Sequence, residues 1–277
     1  MYENFCTPHN NRVKQSRVRN KISLGIKGAI GVCALLGVVL ALVYAERDGY
    51  RPWTKRLAYF TTLSNLWIGV VSLMLVIAQA GFSHRKKRIV VLYALRHAFT
   101  ASIIVTGVVF CAMLAPFADE SYHVWSVNSI LTHVVVPVLA VIDYFLDEQG
   151  GGFGYRHIGF ALLPPLLYFS LTGVMGAVGF DFGRGQPFPY FFMDFRGRAG
   201  WFGFSSALPM MGTGYWMILL TAFTALIAIL LVLPKRKKEK HLHKRADAEK
   251  DNDPVLDKSA DHKCIVPEVT VRLSGLR

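Results

Sequence analysis

The chain has 277 residues, of which 53% are hydrophobic and only 18% are charged. Soluble domains carry about 25% charged residues, so this composition argues against an ordinary soluble domain. It excludes a disordered chain, a collagen and a disulfide scaffold. Lysine and arginine outnumber aspartate and glutamate by 31 to 18, giving a formal net charge of +13. Such an excess is typical of proteins that contact nucleic acid or anionic lipid, and of membrane proteins with basic flanks.

Six apolar stretches are long enough to cross a membrane, since a transmembrane helix needs about 20 mostly apolar residues. They lie near residues 22–45, 57–80, 89–115, 124–146, 157–180 and 212–233. We therefore expect an all-α, polytopic membrane protein in which residues 22–233 form a six-helix transmembrane bundle.

Basic residues flank this bundle and predict its orientation. If the N-terminus is inside, the inner segments carry seventeen Lys and Arg residues and the outer loops carry seven. The positive-inside rule then predicts a multi-pass protein of the cell membrane with both termini in the cytoplasm. Residues 1–21 would be a basic cytoplasmic segment, and residues 234–277 a basic and then disordered cytoplasmic tail.

The basic run from Lys235 to Arg245 follows the last span directly. We interpret it as a segment that contacts anionic lipid headgroups, and we expect no nucleic-acid partner. The four cysteines show neither metal-ligand spacing nor a disulfide pattern, so no metal or cofactor is predicted.

Ionisable residues inside a span cost free energy and are candidates for function. Arg96 and Asp143 lie near the same membrane side of neighbouring spans, so we expect an ion pair between them that joins the two helices. A proton or ion relay is the alternative. Lys27 lies near the inner end of the first span, and we expect its ammonium group to reach the membrane surface.

His133 lies deep in the fourth span, with no acidic residue at helical spacing. Ser126 and Ser129 share its helix face, and Pro137 lacks the N–H group that would bond the carbonyl of His133. These residues predict a kink and a small hydrated pocket. A histidine that is simply hydrogen-bonded within the bundle fits them equally well.

The second span opens with the polar side chains of Thr61, Thr62, Ser64 and Asn65. Such groups usually bond a nearby carbonyl, but a threonine hydroxyl becomes a nucleophile when an imidazole takes its proton. At 1.5 Å per residue, we expect Thr61 about 6 Å and His133 about 14 Å below the outer face.

Two further features concern the fifth span and the loop after it. Pro164 and Pro165 predict a local break in the span. The loop is rich in aromatic residues between Gln186 and Phe195. We expect it to rest at the membrane interface, where aromatic residues are common, or else to form a lid over a pocket.

Three segments, residues 59–66, 131–143 and 188–194, occur in an order that resembles the androgen-induced protein family, most closely its bacterial integral-membrane relatives. Animal members of that family are atypical threonine hydrolases with six spans. They cleave fatty acid esters of hydroxy fatty acids, using one threonine and one histidine within the membrane. The resemblance implies Thr61 as the nucleophile and His133 as the histidine, although Thr62 stands beside Thr61.

The leading hypothesis is therefore an intramembrane lipid-ester hydrolase that takes its substrate from the outer leaflet. Thr61 would attack the ester carbonyl, and His133 would take and return the proton. Asn65, Ser64 or a backbone N–H group would stabilise the oxyanion. No metal or cofactor is needed.

Two rival hypotheses remain at this stage. In a transporter or lipid-binding membrane protein, His133 and the Arg96–Asp143 pair would carry protons; a structural bundle would only hold partners. The outer-loop residues Arg51, Lys55 and Arg56 would attract a fatty-acid carboxylate in the hydrolase, but they also fit as interfacial anchors.

Overall fold

The computed structural model describes residues 7–82, 86–118, 123–147, 154–208 and 210–251. Throughout these ranges the regular structure is helical, and the only strand-like pairing is one isolated β-bridge between Phe204 and Met211. Six helices are long and apolar enough to cross a membrane. The protein is therefore an all-α, multi-pass membrane protein, which confirms the predicted fold class.

The α-helices of the described residues are α1 (Thr7–Val43), α2 (Phe60–Ile77), α3 (Lys86–Val109), α4 (Val127–Ile130), α5 (Val136–Leu146), α6 (Arg156–Ala177) and α7 (Thr213–Asp251). The membrane-spanning segments are Lys14–Val43, Phe60–Ala80, Ile89–Phe117, Val127–Leu146, Arg156–Ala177 and Thr213–Lys237. Each predicted span overlaps one of them. The largest difference is at the first, which starts before the predicted residue 22 because Lys and Arg also favour helix.

The fourth span is not one regular helix. A π-helical turn over Leu131–Val135 joins α4 to α5, and a second π-helical turn over Phe110–Leu114 follows α3. Pro137 has no N–H group for the carbonyl of His133, and the i→i+5 bonding of a π-helical turn carries the backbone past the missing donor. The N–H of Val136 accordingly bonds the carbonyl of Leu131.

The fifth span, α6, is continuous although it contains Pro164 and Pro165. The predicted break is therefore wrong. Proline is tolerated inside membrane helices because neighbouring groups satisfy the carbonyls that it leaves free.

Helix packing brings α3 directly against the segment that carries His133. α2 packs against α1 and α3, and α3 also packs against α5 and α6. Small residues permit such close approaches between membrane helices. A Cβ atom on Gly107 of α3 would lie only 2.8 Å from the carbonyl oxygen of His133, so a larger residue there would displace the π-helical turn.

The aromatic loop between α6 and α7 packs into the bundle. Phe188, Phe192 and Met193 are 4%, 3% and 3% exposed. They share a core cluster with residues of three helices, namely Phe60, Tyr168, Phe169, Trp216 and Leu220. The rings of this loop therefore fill the space between α2, α6 and α7, and its position at the membrane interface stays a prediction.

The predicted flanking segments are described only in part. α1 begins at Thr7 and α7 ends at Asp251, so the basic run from Lys235 to Arg245 is helical. Residues 1–6 and 252–277, which include Cys6, Cys264 and most of the predicted disordered tail, lie outside the described residues.

Candidate active site

Thr61 lies in the first turn of α2, which begins at Phe60 directly after the extended N-cap residue Tyr59. The first N–H groups of a helix have no partner within the helix, and the N–H of Thr61 donates to the hydroxyl of Tyr190 at 3.3 Å. The Thr61 side chain is thus at a helix N-terminus, where the helix dipole favours negative charge.

His133 lies in the π-helical turn between α4 and α5 and is 7% exposed. Its ring stacks on Phe110, with ring centroids 3.6 Å apart and ring planes at 13°. Both aromatic residues belong to π-helical turns. The stacking fixes the plane of the imidazole and leaves its two nitrogens to hydrogen-bond at the ring edge.

Thr61 and His133 meet within the bundle, where Thr61 Oγ1 lies 3.3 Å from His133 Nε2. The other ring nitrogen, Nδ1, lies 3.0 Å from the backbone carbonyl oxygen of Ser129. A carbonyl oxygen can only accept a hydrogen bond, so Nδ1 carries the proton and Nε2 keeps its lone pair. The hydroxyl of Thr61 then donates to Nε2, as a nucleophile does to its general base.

Two hydroxyl groups complete the surroundings of His133 Nδ1. Ser129 Oγ lies 3.3 Å and Thr132 Oγ1 lies 3.2 Å from this nitrogen. Ser126 is placed differently from the sequence expectation. It is the N-cap of α4, and its side chain accepts the N–H of Ser129 at 3.3 Å, so it does not continue a polar stripe along the helix.

Ser64 and Asn65 bond the backbone around the site. Asn65 Nδ2 donates to the carbonyl oxygens of Thr61 at 2.8 Å and of Thr132 at 3.1 Å. Ser64 Oγ donates to the carbonyl of Thr61 at 3.2 Å. The amide of Asn65 therefore ties the start of α2 to the segment that carries His133, which is a positioning role rather than oxyanion binding.

Tyr190 is the site residue that the sequence did not identify. Its hydroxyl oxygen lies 3.5 Å from Thr61 Oγ1. Since the Thr61 hydroxyl donates to His133, Tyr190 can donate its own proton to Thr61 Oγ1. The ring stacks on Phe192, with centroids 5.2 Å apart. Desolvation in this aromatic cluster raises the pKa of Tyr190, so the hydroxyl remains a donor.

Three cavities border the pair. A cavity of about 240 Å³ is lined by both Thr61 and His133. An apolar groove of about 580 Å³ between α3 and α5 is lined by His133 and Pro137. A narrow apolar cavity of about 40 Å³ among α2, α3, α6 and α7 is lined by Thr61 and Tyr190. The pair is thus bordered by one cavity of mixed polar and apolar lining and by two apolar ones, of which the groove beside His133 is large enough for an alkyl chain.

A second polar group of residues lies at the opposite end of the bundle. The guanidinium of Arg96 donates to Asp143 at 2.5 Å and to Asp147 at 2.6 Å. Lys27 Nζ lies 3.1 Å from Asp143 and 2.9 Å from Asp147. None of the four side chains is more than 3% exposed. Lys235 Nζ of α7 also donates to the backbone carbonyl of Asp147, at 3.3 Å. Together with Lys235, these two cations and two carboxylates form a buried charge cluster that joins α1, α3, α7 and the end of α5.

The expectation for Lys27 is wrong, because its side chain is 0% exposed and does not reach the membrane surface. The depth of Lys27 along α1 could not indicate this, since its carboxylate partners lie on another helix. Asp143 belongs to α5, and Asp147 is the C-cap residue of α5. Ser23, one turn earlier on α1, donates to Asp143 at 2.6 Å. The first span therefore contributes to the cluster instead of ending in an anchor.

Across the described residues, no group of three His, Cys, Asp or Glu side chains is arranged to hold a metal ion. Comparisons with protein-family models, with curated proteins and with solved structures found no match.

Proposed function

We propose that this membrane protein is a lipid-ester hydrolase in which Thr61 is the nucleophile and His133 the general base. The observation that carries the proposal is the 3.3 Å contact between Thr61 Oγ1 and His133 Nε2. It is supported by the carbonyl of Ser129, which holds the proton on Nδ1. The resemblance to the androgen-induced protein family leads to the same two residues, and we propose a distant relationship to it.

The reaction follows from this geometry. Thr61 Oγ1 forms a bond to the ester carbonyl carbon while its proton passes to His133 Nε2. The tetrahedral oxyanion accepts a hydrogen bond from Tyr190, whose hydroxyl already lies 3.5 Å from Thr61 Oγ1. His133 then protonates the leaving alcohol, and the acyl group remains on Thr61. Water, deprotonated by His133, releases the fatty acid and restores the threonine hydroxyl.

The surroundings favour a lipid as the substrate. The groove beside His133 has a volume of about 580 Å³ and is lined mainly by apolar side chains, which suits an alkyl chain of the ester. The narrow cavity beside Thr61 is apolar as well. Both lie at the level of membrane-spanning helices. A substrate of this kind would enter sideways from the bilayer.

The proposed orientation places the site toward the outer leaflet of the cell membrane. The Lys and Arg bias of the flanks favours both termini in the cytoplasm, and Thr61 lies at the end of α2 that the outer loops adjoin. In this orientation the basic stretch from Lys235 to Arg245 meets the anionic headgroups of the inner leaflet.

An active-site-directed probe tests the proposal directly. A lipid-tailed fluorophosphonate is expected to label the wild-type protein in membranes, and peptide mass spectrometry should locate the adduct on Thr61. The Thr61→Ala and His133→Ala variants should lose the label, because one lacks the nucleophile and the other its base. Thr62→Ala, one residue along, should keep it. Labelling that persists in Thr61→Ala would refute the assignment.

The role of Tyr190 gives a second expected result. Tyr190→Phe retains the ring that packs on Phe192 but removes the hydroxyl, so kcat should fall by about 10²- to 10³-fold, the usual effect of losing one oxyanion donor. The matched control is Tyr59→Phe, because the hydroxyl of Tyr59 donates to the carbonyl of Phe182 at 3.3 Å and not to Thr61. Steady-state hydrolysis in proteoliposomes measures both. Equal losses in the two variants would contradict the assigned role.

A further inference from the structure

Two arginines line the cavity that contains Thr61 and His133. Arg56 belongs to the short 3₁₀-helix Trp53–Ala58 that precedes α2, and Arg184 lies in the loop between α6 and α7. Of the outer-loop cations expected to attract a carboxylate, Arg56 lines this cavity, whereas Lys55 is held by Asp181 at 2.6 Å.

Arg184 is held in an uncommon backbone conformation. Its φ of +55° lies in the left-handed region, between Gly183 at +110° and Gly185 at +70°. Glycine adopts this region without strain, whereas an arginine there is strained. Strain of this kind clusters at functional sites, where the position of a particular side chain matters.

The partners of Arg184 fix its direction but do not neutralise its charge. Its Nε donates to the backbone carbonyl of Asp48 at 2.7 Å, and its guanidinium carbon lies 5.4 Å from the ring centroid of Tyr50. The guanidinium carbon of Arg56 lies 4.6 Å from the same ring centroid. Among the described residues, no carboxylate lies within ion-pair distance of Arg184. Two guanidinium groups therefore pack on the ring of Tyr50 beside this cavity.

A guanidinium group binds planar or tetrahedral oxyanions through paired N–H donors. We infer that Arg184, together with Arg56, forms a subsite for an anionic group, a carboxylate or a phosphate, on the lipid whose ester lies at Thr61. The inference rests on the proposed hydrolase for the identity of that lipid. It makes Arg184 a determinant of specificity, since an ester without the anionic group gives the Arg184 guanidinium no substrate group to bind.

Binding tests the subsite without requiring turnover. Full-length protein in neutral detergent at low ionic strength is titrated calorimetrically with dodecanoate, dodecyl phosphate and dodecanol. We expect one or both anions to bind about 10- to 100-fold more tightly than the alcohol, as charged hydrogen bonds allow. Arg184→Ala should abolish the difference, and Arg184→Lys should restore only part of it, because lysine lacks the paired donors. The anion that binds more tightly identifies the group.

The matched control is Arg51→Ala, which removes the same charge from an exposed residue outside the cavity lining. This variant should bind as the wild type does. Equal binding of alcohol and anions by the wild type, or equal losses in the Arg51 and Arg184 variants, would overturn the subsite.

Hydrolysis then separates this inference from the proposed function. With a free-acid ester and its methyl ester as substrates, Arg184→Ala should lower kcat/KM about 10- to 100-fold for the acid only. If the wild type cleaves neither ester but anion binding depends on Arg184, the hydrolase proposal fails and the subsite stands. If Arg184→Ala slows both esters equally, the subsite is wrong and the hydrolase stands.

Discussion

Replacing Thr61 with alanine is expected to lower the rate of fatty-acid release from a lipid ester by on the order of 10³-fold or more, because no other group of the site replaces the nucleophile. His133→Ala should lower it by a similar factor, and the double variant should be little worse than either single one, since the two side chains act as a unit. Release from estolide-type esters in proteoliposomes, followed by mass spectrometry, measures the three rates.

Thr61→Ser provides the matched control for this result. Serine keeps the hydroxyl that donates to His133 and loses only a methyl group, so a measurable fraction of the rate should remain. Thermal melting in detergent should show that both Thr61 variants are folded, because Thr61 lies in the first helical turn and is only partly buried. Full activity of a folded Thr61→Ala variant would refute the assignment of Thr61 as the nucleophile.

The second large effect is expected at the buried charge cluster. Asp143→Asn leaves Lys27 and Arg96 facing one carboxylate instead of two, at a position that water does not reach. Breaking a buried ion pair from one side costs about 3–5 kcal/mol. The variant should therefore unfold at a clearly lower denaturant concentration or temperature than the wild type, as measured by tryptophan fluorescence in detergent.

A charge-balanced double variant separates electrostatics from packing. Lys27→Met removes the extra cation, so Lys27→Met/Asp143→Asn should be more stable than Asp143→Asn alone, which a double-mutant cycle quantifies. The exposed pair of Arg47 and Asp48 is the control, because exposed ion pairs contribute about 0–1 kcal/mol. If Asp143→Asn melts like the wild type yet impairs function, the cluster is a relay rather than a structural clasp.

The fold was predictable because the hydrocarbon core of a membrane imposes length and polarity on every spanning helix. Six apolar runs sufficed to predict six spanning helices, with errors mainly at their ends. The second span begins at Phe60 and not at residue 57, and the fourth at Val127 and not at residue 124. Both expected depths are therefore about 4–5 Å smaller, and the expected depth difference between Thr61 and His133 is unchanged.

The surroundings of the site were less predictable, because they depend on contacts between residues distant in the sequence. Tyr190 is 129 positions from Thr61, and it reaches α2 only because neighbouring rings of the loop are buried in the core cluster. Arg184 has no signal beyond its two flanking glycines. Lys27 was misinterpreted because one helix, taken alone, shows depth but not the charges that face it.

The carbonyl that supports His133 has a consequence for where this chemistry can operate. In many hydrolases a permanent anion orients the imidazole, and such an anion is costly in hydrocarbon. In the proposed mechanism the resting dyad is formally uncharged, and a transient zwitterion would exist only while the tetrahedral adduct lasts. We expect such an uncharged dyad to function within the hydrocarbon of the bilayer, where two-dimensional diffusion of lipid within one leaflet would supply its substrate.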